Sequence, residues 1–171
     1  MISKIVFFGD SITAAYRTVH NPLGDGYVSI LKDLFSTNSD LGGIQFVNSG
    51  INGHMVGDLL KRYQADVLDH KPDAVVIKIG INDAYNDFIS GGGGNHIRKY
   101  VTDLDRLIHI LGTDLPLAQL FLFTPYLISD SSSEPFYLRM NEYCEVVKSQ
   151  GQKRTIPVLD VQSVFDTAVK Q

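Results

Sequence analysis

Short, continuously apolar runs alternate along this chain with longer stretches in which apolar residues recur every three or four positions. Each run ends at glycine or polar residues, which is typical of a buried β-strand. The predicted strands are Ile5–Phe8, Ile44–Val47, Ala74–Ile79, Leu120–Phe123 and Ile156–Asp160. The intervening periodicity predicts amphipathic helices. They cover residues 26–35, 56–67, 97–111, 136–147 and 161–170.

This repeated strand–helix order predicts the fold class. Strands that are apolar throughout are covered on both faces, so we expect an α/β protein with three layers, α/β/α, around a parallel sheet of about five strands. A chain of 171 residues fits a single domain, here residues 1–171. In such sheets, ligands bind outside the carboxyl ends of the strands. The residues after each strand are therefore the place to look for a site.

Composition excludes several classes of function. The net charge is −4 and no basic stripe is present, so nothing indicates nucleic-acid binding. The single cysteine, Cys144, rules out an intramolecular disulfide and a cysteine set for a structural metal. No stretch approaches the ~18 apolar residues of a membrane span. The apolar run at the N-terminus is too short for a signal peptide, so we expect a cytoplasmic protein.

Three of the predicted strands end in small polar residues and glycine. Gly9-Asp10-Ser11 follows the first strand, Asn48–Gly53 the second and Gly80–Asp83 the third. Taken singly, each block is equally typical of a turn or a helix cap. Taken together, they offer a serine hydroxyl, backbone N–H groups and an asparagine amide at one sheet edge. Such donors form an oxyanion hole, each worth roughly 10²–10³ in rate, and suit acyl transfer through a serine.

The same blocks carry a family resemblance. Gly9-Asp10-Ser11-Ile12 resembles block I of the GDSL/SGNH hydrolases. Asn48-x-Gly50-x-x-Gly53, followed by Asp58-Leu59-Leu60, resembles block II, and Gly80-x-Asn82-Asp83 resembles block III. Spacing and strand context match from residue 2 to about residue 88, and more loosely to Asp160. Three blocks in the family's order are a more specific signal than any one of them.

The resemblance implies a role for several residues. Ser11 would be the nucleophile, with Asp10 supporting it. The oxyanion donors would be the N–H groups of Ser11 and Gly53 and the side chain of Asn82. It also implies a flavodoxin-like fold of the SGNH type, no cofactor and no metal. The expected partner is a small-molecule ester or an acetylated carbohydrate.

The sequence departs from the family in its general base. Family members carry Asp-x-x-His after the fifth strand, and that histidine takes the serine proton. Here no histidine follows Asp160, and Asp166 is followed at the third position by Val169. The interpretation we favour is a chain truncated at its C-terminus. The alternatives are a degenerate member that has lost the base, or a substitute among His20, His54, His70, His96 and His109.

Two further residues are predicted to contact a ligand. His54 directly follows Gly53, so we expect it to line the pocket, although its place on the oxyanion loop argues against a base role. Tyr85, together with Phe88 and Tyr126, is expected to form an apolar wall or, alternatively, to pack beneath the loops.

The functional prediction is a serine ester hydrolase that acts through Ser11 and is weak or inactive for want of the base. The alternative is a non-catalytic protein that binds a small molecule or a carbohydrate in the same crevice. A sheet edge without its covering helix would expose apolar surface, which leads us to expect a homodimer.

Overall fold

One parallel sheet organises the protein, whose computed structural model describes residues 2–129, 131 and 133–169. The strands of these residues follow the order β2-β1-β3-β4-β5, so β1 lies between β2 and β3. Their bounds are β1 Lys4–Gly9, β2 Gln45–Gly50, β3 Ala74–Lys78, β4 Gln119–Phe123 and β5 Val158–Leu159. Parallel pairing brings all the carboxyl ends to one edge.

Helices connect the strands and cover both faces of the sheet. Their bounds are α1 Ser11–Ala14, α2 Tyr27–Ser36, α3 Val56–Asp66, α4 Ile81–Ile89, α5 Asn95–Asp114, α6 Pro135–Arg154 and α7 Val161–Val169. A short 3₁₀ turn occupies Leu68–His70. Among the described residues, no helix is both long and apolar enough to cross a lipid bilayer.

Side chains of alternate strand residues enter two different cores. Val6 and Phe8 point to the face covered by α3, α5 and α6, where the larger apolar cluster lies. Ile5 and Phe7 point to the opposite face and pack on α2. All four are buried, as expected for a strand covered on both sides. The predicted three-layer α/β/α class is therefore confirmed.

Several elements differ from the prediction, most of all β2, β5, α4 and α6, which continues to Arg154. β2 continues through Asn48–Gly50, because the side chains of Asn48 and Ser49 find hydrogen-bond partners there. β5 has only two residues, since Thr155 adopts a left-handed conformation and ends α6 late. The helix α4 was not predicted. Position 170 of the last predicted helix lies outside the described residues.

Candidate active site

Ser11 stands at the carboxyl end of the central strand. It is the first residue of α1, directly after Asp10, which caps that helix by accepting the Ile12 N–H at 2.9 Å. The Ser11 side chain is half-buried and makes no hydrogen bond to any described residue. Its backbone N–H likewise has no acceptor in the described protein, as is usual in the first turn of a helix.

The second strand end supplies the glycine. Gly53 adopts φ +76°, a conformation that L side chains rarely take, and open space surrounds its Cα. No acceptor for its N–H exists among the described residues. The Ile51 N–H donates to the Gly9 carbonyl at 3.2 Å, which ties this loop to the end of β1.

Asn48 and Gly50 of block II stabilise the turn that carries Ser11. Asn48 is buried, and its Nδ2 donates to the carbonyls of Thr13 at 2.6 Å and Leu23 at 2.8 Å. Its Oδ1 accepts the Gly50 N–H at 2.9 Å. A Cβ on Gly50 would lie 2.1 Å from the backbone nitrogen of Ala14. These two residues of the motif therefore hold α1 against β2 rather than contact a ligand.

The third strand end places Asn82 against the same loop. Asn82 is the second residue of α4, and its Nδ2 donates to the His54 carbonyl at 2.9 Å. An amide nitrogen carries two hydrogens, so one remains for a ligand. The neighbouring Asp83 instead accepts the Val56 N–H at 3.2 Å and 3.3 Å. Burial raises the pKa of Asp83 to about 7.

The three blocks thus meet at adjacent strand ends, with the nucleophile's strand in the middle. The Ser11 N–H, the Gly53 N–H and the free hydrogen of the Asn82 amide stay the predicted donors, and they lie on segments that follow neighbouring strands. Donors of this kind that point to one spot stabilise a developing oxyanion. The chemical capacity of this arrangement is acyl transfer.

His54 is held in one tautomer by Arg62. The Nε of Arg62 donates to His54 Nδ1 at 3.1 Å, so Nδ1 must be unprotonated and Nε2 must carry the hydrogen. Burial lowers the pKa of His54, and the nearby guanidinium lowers it further. A neutral imidazole whose Nδ1 accepts from Arg62 has no free lone pair for the serine proton, but its Nε2–H can donate to a ligand.

The other histidines lie elsewhere. His20 and His109 are exposed, the latter on α5. His70 lies in the 3₁₀ turn, near the amino ends of the strands, where its carbonyl accepts the Lys4 ammonium at 2.8 Å. His96 lines a separate cleft of about 370 Å³ between α3, α4 and α5. Within the described part of the chain, no histidine hydrogen-bonds to Ser11.

The residues predicted to form one apolar wall fall into two groups. Tyr85 is 53% exposed and packs edge-on against Phe136 of α6, with ring centroids 5.6 Å apart, and Phe88 contacts the same ring. Tyr126 instead stacks on Phe165 of α7 at 4.5 Å. The described contacts do not join these groups.

Sequence reasoning missed Arg62, which joins two strand ends. Its Nη1 donates to the Ser49 carbonyl at 2.9 Å and to Asp66, and its Nη2 donates to the Gly9 carbonyl at 2.9 Å. The guanidinium also lies over the Phe8 ring, 4.6 Å from its centroid. No spacing rule marks an arginine on α3 for this role, because its partners are backbone atoms distant in sequence.

It also missed Lys78, although a signal was present. Lys78 interrupts an apolar strand of valine and isoleucine, and it is 1% exposed. A lysine that is fully buried requires a partner. That partner is Asp10, whose Oδ1 lies 3.6 Å from the lysine Nζ.

Comparison with known proteins identifies the family of this chain. The family model described as the GDSL-like lipase/acylhydrolase family matches residues 7–170. The chain belongs to this family. As a GDSL-like hydrolase, it is a member of a family of carboxylic ester hydrolases, and the predicted recognition and enzyme class are confirmed.

Relatives of this GDSL-like hydrolase include an acetylxylan esterase of Geobacillus stearothermophilus. It is 32% identical over 98% of this chain and 80% of its own length. The crystal structure of a catalytic mutant of that esterase, Axe2, superposes with a TM-score of 0.89 at 31% identity, covering 99% of this chain and 80% of the other. LAE5, an α/β hydrolase from the metagenome of Lake Arreo, Spain, gives the same TM-score at 30% identity, covering 99% and 81%.

Proposed function

We propose that this chain is a serine ester hydrolase that acts through Ser11 and removes acetyl groups from acetylated carbohydrates. The observation that carries the proposal is that Ser11, Gly53 and Asn82 follow three neighbouring parallel strands, and that the N–H groups of Ser11 and Gly53 have no acceptor among the described residues. The choice of acetyl as the acyl group that is transferred to Ser11 follows from the likeness to an acetylxylan esterase.

The reaction proceeds in two acyl transfers. Ser11 Oγ attacks the ester carbonyl carbon, and the carbonyl oxygen becomes an oxyanion that the three donors stabilise. The C–O bond to the alcohol then breaks, the alcohol leaves with a proton, and an acetyl-serine remains. Water attacks the acetyl-serine in the same way and releases acetate and free Ser11.

The hydrolysis is proposed to be slow, because no histidine of the described residues hydrogen-bonds to Ser11 and can remove its proton. Loss of the base from a serine triad can cost about 10⁶ in kcat. Binding and oxyanion contacts then leave roughly 10³–10⁴ over the reaction in water. His54 does not fill the gap, since Arg62 fixes its Nδ1 as an acceptor.

Chemical rescue tests both parts of this proposal. Hydrolysis of p-nitrophenyl acetate and of acetylated xylo-oligosaccharides is measured with and without free imidazole. We expect slow turnover that imidazole increases, that Asn82→Ala reduces about 10²-fold and that Ser11→Ala abolishes. A Ser11-independent rate would overturn the nucleophile assignment. Fast turnover without imidazole would overturn the statement that the base is lacking.

The second candidate is a binding protein that uses the same crevice without turnover. It is favoured by the engaged His54 imidazole, whose Nε2–H is a donor for a ligand oxygen. Calorimetry with an acetylated xylo-oligosaccharide separates the two functions. Binding without Ser11-dependent product, even with imidazole present, favours this second function, whereas imidazole-dependent product favours the hydrolase.

A further inference from the structure

Lys78 occupies an unusual place for a charged side chain. It is the last residue of β3, paired in register with Gly9, the last residue of β1. Its Nζ is buried and has no hydrogen-bond partner among the described residues. Burial lowers the pKa of Lys78, whereas the Asp10 carboxylate opposes that change. The nearby Asp10 carboxylate is the counter-charge that favours the protonated form of this buried amine.

The surroundings of Lys78 offer it one carboxylate. Among the described residues, Asp10 alone forms an ion pair with it, at 3.6 Å. The Tyr126 ring lies beneath the ammonium, 5.0 Å from its centroid. Tyr27 lies nearby, with its hydroxyl bonded to Thr13 at 2.9 Å. Cys144 lies in the core on the other face of the sheet, where its thiol donates to the Pro125 carbonyl at 3.1 Å.

The Asp10 carboxylate is buried as well, and the ion pair with Lys78 compensates part of the cost of that burial. Asp10 is fully buried, and its Oδ2 has no partner in the described protein. Its Oδ1 has two, namely the Ile12 N–H at 2.9 Å and the lysine at 3.6 Å. An ionised carboxylate in such a position is costly unless it is paired and hydrogen-bonded. The oxygen that caps the nucleophile helix is thus the one that faces the ammonium.

We propose that Lys78 is a positioning residue for the nucleophile: its ammonium holds the Asp10 carboxylate in place, and that carboxylate holds the turn that presents Ser11. The lysine acts through Asp10 and does not touch the substrate. The effect of this role on catalysis rests on the proposed function. The charge interaction between Lys78 and Asp10 does not depend on it.

The coupling is tested by titration, which needs no turnover. The Lys78 Nζ and Cε resonances are followed by NMR against pH in the wild-type protein and in Asp10→Asn. Asparagine keeps an oxygen for the Ile12 N–H but removes the charge, so we expect Lys78 to lose its proton at lower pH in this variant. An unchanged Lys78 titration in Asp10→Asn would overturn the proposal. This experiment does not require Lys78 itself to be replaced.

The positioning effect is tested at Ile12 and Ser11. In Lys78→Met, we expect faster exchange of the Ile12 N–H and about tenfold slower labelling of Ser11 by a fluorophosphonate. Lys78→Arg keeps the charge, and the adjoining apolar cavity of about 290 Å³ has room for the larger group, so it should remain close to wild type. Lys4→Met, at the opposite end of the sheet, is the matched control.

The double variant Asp10→Asn/Lys78→Met shows whether Lys78 acts through its charge or by filling space. Both charges are removed and the helix cap is kept, so we expect it to recover most of the labelling that Lys78→Met loses. Failure to recover would show that the lysine acts by filling space, which overturns the proposal. If the titration and exchange results hold while no variant hydrolyses esters, the proposed function fails and the coupling stands.

Discussion

Gly50 is a position where any side chain collides with backbone. Because the Ala14 nitrogen would lie 2.1 Å from an added Cβ, neither partner can move without displacing α1. We expect Gly50→Ala to lower the free energy of unfolding by about 3 kcal/mol and to reduce Ser11 labelling.

Urea unfolding checks this loss, with Gly43→Ala as the control. No atom lies within 4 Å of the Cβ at Gly43, so its free energy of unfolding should stay within ~0.5 kcal/mol of wild type. Equal stability of the two variants would contradict the collision.

Asp83 makes stability depend on pH. Burial raises its pKa to about 7, so the folded protein binds this proton more tightly than the unfolded chain does. The resulting stabilisation, at most ~4 kcal/mol, is complete below the unfolded pKa and is lost as the pH rises through about 7. Asp83→Asn cannot ionise. We therefore expect its melting temperature to rise relative to wild type between about pH 5 and about pH 8.

Thermal unfolding followed by circular dichroism at the two pH values measures this shift. Asp33→Asn, at an exposed position on α2, should show the same offset from wild type at both. A constant offset for Asp83→Asn as well would show that the Asp83 carboxyl titrates normally.

At the scale of elements, one side chain of α3, Arg62, connects the carboxyl ends of β1 and β2 by hydrogen bonds. Arg62 donates to the carbonyl of Gly9, the last residue of β1, and to that of Ser49, the penultimate residue of β2. Arg62→Lys keeps the charge but cannot hold both carbonyls, because it lacks the planar fork of the guanidinium. We expect a loss of about 2 kcal/mol in the free energy of unfolding and faster exchange of the Ile51 N–H.

Hydrogen exchange and urea unfolding measure these two effects. Lys61→Ala, the adjacent and mostly exposed residue, should change the free energy of unfolding by less than ~1 kcal/mol. If Arg62→Lys behaves like Lys61→Ala, the guanidinium does not fasten the strands.

The elements show how far sequence reasoning reaches. That Ser11, Gly53 and Asn82 follow neighbouring strands at one sheet edge was predictable, because carboxyl ends of parallel strands share one edge. α4 was also within reach, since Ile81, Ala84 and Phe88 keep a helical spacing. It was missed because its first residues equally suit a turn.

Other features were not predictable from spacing. Arg62 depends on backbone atoms far along the chain, and the continuation of β2 to Gly50 depends on partners for Asn48 that only the folded loops supply. Lys78 was detectable as a charge in an apolar strand, but its partner was not. These contacts are set by tertiary structure, which no local pattern contains.

For the whole molecule, the two outer layers are unequal. Among the described residues, α2 packs on the smaller core, and an apolar cavity of about 290 Å³ lies between α2 and α7. Ile30 and Leu159 line it and are 58% and 47% exposed, and Leu34 follows one turn later on α2. The expected homodimer stays a prediction, as do the single domain and the cytoplasmic location. This surface is where we place the dimer contact.

Light scattering over a range of concentrations tests the dimer. We expect the mass to rise with concentration in the wild type and to remain monomeric in Leu34→Glu. Leu117→Glu, at a fully exposed position beside β4, is the control and should behave like wild type. A wild-type monomer at every concentration would contradict the expectation.

The central position of β1 has a consequence for the order in which the protein assembles. β1 leaves the ribosome before the residues with which it pairs, which begin at Gln45 on one side and Ala74 on the other. Such non-local pairing slows folding. The serine turn is complete only when Lys78 arrives with the third strand, so nascent chains that stop short of it should be unreactive towards a serine probe.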